Sequence, residues 1–305
     1  MDNLQKHINF LGRISHWLRF LFTPLALFFL IFIFWNSKEI IYDLLRNSNL
    51  VLVFLSVFLW VLLHFLSPVF TVFLFRCCHL SLNYQKAFLI HSSRLPAKYL
   101  PGGIWHTVAR GKDYSDTGLS FRNISSYFLI ENLIIASTTL TFASTIIIYE
   151  GTFSHLLSTI IKSIAIIGVC FLFILPKFSE KYLFDHKQPW DKVYYFYSIA
   201  LMLAYWALVA LTFICFIKAF TAISLNLSDI AVGAIYIFSW GIGFITIFAP
   251  QGIGVTELVA ANLLGDNTAI HALIFVISSF RVVILAGDFL TWALSRALTA
   301  RFCLS

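Results

Sequence analysis

The chain has 305 residues, 60% of them apolar and only 11% charged, with a formal net charge of +7 and 33 phenylalanines. A soluble domain is about half apolar and a quarter charged, so this balance excludes an ordinary soluble enzyme and reads as an integral membrane protein. The basic residues lie between apolar runs, where they orient spans and meet anionic headgroups, and this sets nucleic acid aside as a partner.

In chain order, "MDNLQKHINFLGRISHWLRF" is a basic, amphipathic lead-in to an apolar run. It is expected to lie in the cytoplasm before a retained first span, since no small-residue cleavage site follows. A bilayer core takes about 20 apolar helical residues. On that scale spans are expected at about 20–35, 51–75, 124–148, 157–175, 194–217, 229–248 and 270–294. Lipid offers backbone groups no partner and the runs lack barrel alternation, so each span must be a helix. The expected fold is one all-α polytopic membrane domain, 1–305, with about 7–8 transmembrane helices and two Pro/Gly-interrupted re-entrant or broken segments. Lys and Arg crowd the second-to-third and fourth-to-fifth connections, whereas "YEGTFSHL" has neither. The positive-inside rule then places the N-terminus in the cytoplasm of a cell membrane, inner or plasma. A cytoplasmic C-terminus follows if 250–266 also crosses or joins the last segment as a broken helix.

The connection "AFLIHSSRLPAKYLPGGIWHTVARGKDY", Ala87 to Tyr114, holds two short semi-apolar pieces around Pro96 and Pro101-Gly102-Gly103. Nine helical residues rise only about 13 Å, too little to span, so a re-entrant hairpin over about 87–110 is expected. Pro250-Gln251-Gly252-Ile253 repeats the pattern of Pro101-Gly102-Gly103-Ile104 in the second half, giving a second broken segment at about 250–266. Two such segments in corresponding halves point to a transporter's central site. Glycines such as Gly252 and Gly254 let the backbone turn and approach a ligand. A helix starting inside the membrane, from Gly252 to Leu264, would aim amide hydrogens at an anion. The alternative is an interfacial loop with a helix cap.

Glu131, Glu257, Arg281 and Asp288 interrupt apolar segments, where an ionisable group costs about 2.5–3.5 kcal/mol and wants a partner or a task. Arg281 and Asp288 are seven residues apart and share a helix face. Glu257 is the expected partner of Arg281, either as a static clamp or as a headgroup site whose partner changes. Glu131 either caps a neighbouring helix or faces the same cavity, and Asp288 is either in that stripe or interfacial. Arg94, Lys98 and Arg110 flank the first hairpin as a cytoplasmic basic cluster or as headgroup collectors. Trp105 and His106 read as interface anchors, and His64 and His91 as packing residues. The five cysteines and nine histidines form no ligand spacing, so neither a metal site nor a cofactor is expected.

"KYLPGGIWHTVAR", "FLIENLI", "APQGIGVTELVAANLL" and "SSFRVVILAGDFL" together resemble the transmembrane domain of the lysylphosphatidylglycerol synthase/flippase family, over about 20–298. That resemblance implies a polytopic fold with two re-entrant segments that moves a lipid between leaflets. It places Gly252, Gly254, Glu257, Arg281, Pro101, Gly102 and Arg110 at signature positions. Gln251 stands where many relatives have glycine, and residues 1–305 are not expected to include the soluble aminoacyl-transfer domain of the family's fusions.

The expected function is a flippase-like transporter of an anionic phospholipid or polyprenyl-phosphate-linked lipid, with Arg94, Pro101, Gly102, Gly103, Arg110, Glu131, Gly252, Gly254, Glu257, Arg281 and Asp288 at its substrate site. Membrane lipids, and either copies of itself or pathway enzymes, are the expected partners. Without a nucleotide-binding motif, the driving force must be a gradient, downstream consumption or scrambling; Glu257 and Glu131 are candidates for a coupling proton. Two alternatives remain: a membrane-embedded lipid-modifying transferase using Asp113 and Asp116 on a loop, or a non-catalytic subunit of a glycolipid assembly.

Overall fold

The structure is a computed structural model that describes residues 35, 42, 46–99, 104–150, 153–183, 189–221, 223, 225–246, 249–265 and 270–302. The expected first span at 20–35, apart from Trp35, and the motif Pro101-Gly102-Gly103 lie outside the described residues.

The described residues form helices joined by short connections, with one isolated bridge between Ser48 and Phe220. Helix α1 is Leu50–Cys77, α2 Tyr84–Ser93, α3 Trp105–Ser115, α4 Phe121–Glu150 and α5 His155–Tyr182; α6 is Lys192–Ile217, α7 Asp229–Ile245, α8 Val255–Leu264 and α9 Ile270–Phe302. Single 3-10 turns occur at Leu95–Tyr99 and Pro250–Gly252. Five helices, α1, α4, α5, α6 and α9 over Ile270–Leu298, are long and apolar enough to cross a membrane. The protein is thus a multi-span helical membrane protein in outline. Its α5 carries Ile166, Ile167, Phe173 and Ile174 on an open face. Lipid stabilises such a face as water cannot, and its helical backbone leaves no group unpaired.

Helix starts follow the local sequence. Asn49 accepts from Val51 N at 3.0 Å, Asn83 from Lys86 N at 2.8 Å, Asp191 from Val193 N at 2.9 Å and Ser228 from Ala231 N at 3.1 Å. Each satisfies an amide that a helix end leaves open. Pro68 and Pro176 lie inside α1 and α5. Their missing N–H groups are tolerable where neighbouring helices support the backbone.

The span expected at 229–248 is a shorter element: α7 ends at Ile245 and chain turns back through Pro250–Gly252 into α8. Helix α8 packs on both α7 and α9. Its ten residues rise about 15 Å, less than the expected Gly252–Leu264 helix, because Pro250–Gly252 is consumed in a separate turn. The first broken segment is likewise two helices, α2 and α3, around a 3-10 turn. Asp113 stands within α3, not on a loop, and Asp116 is its C-cap. Helix α9 is the common wall, touching α1, α2, α8 and the Leu95–Tyr99 turn.

Candidate functional site

The second break has the most unusual backbone in the described chain. Gln251, Gly252 and Gly254 have φ of 54°, 66° and 83°, a left-handed region that costs a residue with a side chain about 1–2 kcal/mol. A Cβ on Gly252 would lie 2.9 Å from Gly243 Cα, so glycine there also lets α7 and the turn close on each other. Gln251 occupies a conformation suited to glycine and is held by its bonds. Its side-chain amide donates to the Lys98 carbonyl, and its own carbonyl lies 3.4 Å from both Nη1 and Nη2 of Arg281. The two broken segments therefore meet, Leu95–Tyr99 against Pro250–Gly252.

One carboxylate lies on each side of that junction. Glu257 is buried; Arg281 Nε donates to its Oε1 at 2.6 Å, and Gly254 N donates to its Oε2 at 2.7 Å. The expected Glu257–Arg281 pair is present. The amide hydrogen at the start of α8 that an anion was expected to meet is taken by the Glu257 side chain, a negative group already suited to that end of a helix.

Asp288, 1% exposed, gathers four donors. Its Oδ1 accepts from Trp60 Nε1 at 3.0 Å and lies 2.7 Å from His64 Nε2. Its Oδ2 accepts from Lys98 Nζ at 3.1 Å and Tyr99 OH at 3.0 Å. Asp288 is therefore enclosed by its neighbours inside the fold. Gly287 makes room for it, since a Cβ there would lie 2.6 Å from the Trp60 ring. His64 Nδ1 lies 3.0 Å from His91 Nε2, and the His91 and His106 rings stand edge to face at 6.3 Å. Burial pushes the His91 imidazole well below its usual range, with the charges of His64, Lys98 and Arg110 acting in the same direction. Burial likewise lowers His106, and it raises the Tyr99 phenol beside Asp288. Arg281 and Asp288 lie three and four residues either side of residue 284, the middle of Ile270–Leu298. Both are within about 6 Å of the helix midpoint along its axis.

The other site residues are arranged differently. Arg110 is buried and forks onto Glu131, Nη1 to Oε2 at 3.1 Å and Nη2 to Oε1 at 2.8 Å. Tyr114 and Tyr127 accept further bonds from Nη2 at 3.1 and 3.0 Å, and Tyr127 OH donates to Glu131 at 2.7 Å. Glu131 is thus the buried partner of Arg110 and Tyr127. Arg94 forks onto Asp113 at 2.7 and 2.6 Å, and that carboxylate holds the guanidinium above its usual range. The Asp113 carboxylate is therefore an arginine partner. Trp105 is half exposed, as an interface anchor would be, whereas His106 has a buried Nε2 without a partner among the described residues.

Sequence reasoning passed over Trp60, His64, His91 and Tyr99 as site members. One signal was available. Trp60 and His64 lie four apart inside an apolar span, on one face of α1, where two polar side chains share a single direction. Among the described residues no group of three His, Cys, Asp or Glu side chains is placed to hold a metal.

No protein-family model matches the chain, and no curated protein matches it.

Proposed function

We propose that the protein moves an anionic phospholipid or a polyprenyl-phosphate-linked lipid between the leaflets of a cell membrane, through a fold of seven or eight crossings in which 87–110 and 250–266 are re-entrant. The N-terminus then lies in the cytoplasm. The observation that carries this reading is the junction of the two interrupted segments, where Gln251 reaches the Lys98 carbonyl. Lys98 and Arg281 flank it, each with its side chain 30% exposed and each tied to a buried carboxylate. Charged groups near the middle of apolar helices are costly and mark a pathway or binding point. Broken helices in corresponding halves are where transporters of this build place their substrate.

The geometry supports a division of labour. Lys98 and Arg281 receive the headgroup phosphate, the tails stay in lipid, and Asp288 and Glu257 hold the two cations when no headgroup is present. Arg94 and Arg110, each forked onto its own carboxylate, set the first hairpin in place. A planar guanidinium fits a phosphate in two-point contact, whereas Lys98 acts as a compact charge.

The test is leaflet exchange of fluorescent phosphatidylglycerol in phosphatidylcholine proteoliposomes, read by the fraction of dye open to an external quencher. The wild type is expected to expose the inner-leaflet pool, and Glu257→Gln and Arg281→Gln to slow this tenfold or more. Exchange untouched by both substitutions would remove the site. A chemically altered lipid recovered from the same vesicles would favour the transferase.

A further inference from the structure

Resting on the transporter reading, we propose that His64 and His91 together take up one proton when a headgroup phosphate docks on Lys98, so that lipid and proton bind as a pair.

The hydrogen bonds order the chain of groups. An ionised carboxylate only accepts, so in the empty site Asp288 receives the Nε2 hydrogen of His64 at 2.7 Å. That leaves His64 Nδ1 as an acceptor, and the hydrogen in the 3.0 Å contact must sit on His91 Nε2. His91 Nδ1 is then the ring nitrogen of the relay that carries no hydrogen, and the incoming proton adds there. Either imidazolium can share the charge, because the Nε2 hydrogen of His91 passes to His64 Nδ1 while His64 keeps its bond to Asp288. One proton enters, and the His64–His91 and His64–Asp288 hydrogen bonds both persist.

Charge decides when this happens. In the empty site Asp288 and Lys98 cancel each other at 3.1 Å, and a further proton would leave a buried excess of positive charge. A phosphate arriving at Lys98 brings one negative charge, and Asp288 and the phosphate would then share one cation. Imidazolium supplies the missing cation and takes over Asp288, freeing Lys98 for the phosphate. The depression of His91 in the empty site, from burial first and then from His64, Lys98 and Arg110, is the same balance seen from the other side.

The other ionisable groups near the pair leave this role open. Arg281 and Arg110 have Glu257 and Glu131, Tyr99 and Tyr205 are phenols, which ordinarily ionise far above neutral pH, and burial keeps His106 neutral beside His91. Of the coupling candidates from sequence, Glu131 is committed to Arg110, and Glu257 keeps the Gly254 amide and the positive end of α8 when Arg281 turns to the phosphate.

Binding linkage is reciprocal, so a proton that follows the lipid makes lipid binding pH-dependent. The full chain in detergent micelles would be titrated with dioctanoyl phosphatidylglycerol, and in a parallel arm with inorganic phosphate. Calorimetry in buffers of different ionisation enthalpy counts the protons. About one proton taken up per bound lipid is expected, with Kd falling close to tenfold for each unit that pH is lowered over the range of uptake. His91→Gln is expected to bind at every pH with the weak affinity of the wild type at high pH, and to take up no proton. Uptake with phosphate alone would assign the anion to a free phosphate and keep the linkage. Binding that is flat with pH and releases or takes up no proton would overturn the inference and leave the transporter reading intact. Proton-linked binding in a protein that exchanges no lipid in vesicles would do the reverse, and absence of binding in both arms would sink both.

Discussion

Two buried carboxylate–arginine pairs in this protein are built to opposite designs. Arg110 is closed in, forked onto Glu131, bonded by Tyr114 and Tyr127, and lies with its guanidinium carbon 5.2 Å from the Phe128 ring centre. Arg281 meets Glu257 through Nε alone, keeps an open flank, and reaches a backbone carbonyl only at 3.4 Å. The first arrangement holds a charge so that it cannot leave. The second leaves one side of its charge open, beside left-handed backbone and at the meeting of two chain breaks. The chemistry of the pair is the same; the enclosure differs, and on the proposed function it separates an anchor of the fold from a ligand-binding group.

The largest effect expected from this contrast is on the closed pair. Glu131→Ala leaves Arg110 buried without a counter-charge, and removing one partner of a buried pair costs about 3–5 kcal/mol. Thermal unfolding in detergent should show this as a large drop in Tm, with a smaller drop for Glu257→Gln, which leaves the partly open Arg281 side chain to solvent or headgroups. Equal losses for the two substitutions would erase the distinction.

The comparison also shows what a sequence can and cannot reveal here. The five long helices were legible, their starts within three residues, because lipid demands an uninterrupted apolar length; the ends at Tyr182 and Phe302 lie seven and eight residues beyond the apolar runs. The Glu257–Arg281 pair was legible because both charges stand out against apolar surroundings on neighbouring segments. The role of Asp288 was not, since its partners Trp60, His64 and Lys98 are 228, 224 and 190 residues away. Each of those side chains has an ordinary reading by itself, a packing aromatic or a positive-inside lysine. Asp113 was misplaced on a loop because the polar "GKDYS" hides a helix end that Arg94 stabilises from another element. Periodicity reports a helix's surroundings, and this helix is short and half solvated.

Backbone substitutions sharpen the contrast at an intermediate size. Gly252→Ala meets a left-handed φ of 66° and the Gly243 backbone at 2.9 Å, so a loss of at least about 1–2 kcal/mol is expected. Gly111, on α3 in the closed region, offers a Cβ ordinary contact with Phe128 at 3.4 Å. Gly111→Ala is therefore expected to be neutral or to stabilise by about 0.5–1 kcal/mol through helix preference. Paired melting curves check both, and a destabilising Gly111→Ala beside a neutral Gly252→Ala would reverse the assignment of strain to the junction.

The smallest effect on stability, and the most telling for the open region, is expected from Gln251→Gly. Glycine relieves the left-handed conformation, a gain of about 1–2 kcal/mol, and forfeits the side-chain bond to the Lys98 carbonyl, a loss of about 0.5–1.5 kcal/mol. The two nearly cancel, so Tm should stay close to that of the wild type. On the proposed function leaflet exchange should not stay close, because that bond ties the two broken segments where the headgroup is proposed to pass. Loosened in this way, the segments part more readily and exchange is expected to rise several-fold. A variant with unchanged Tm and unchanged exchange would mean that the Lys98–Gln251 contact is packing without a gate, and the open region would then owe its function to Arg281 and Lys98 alone.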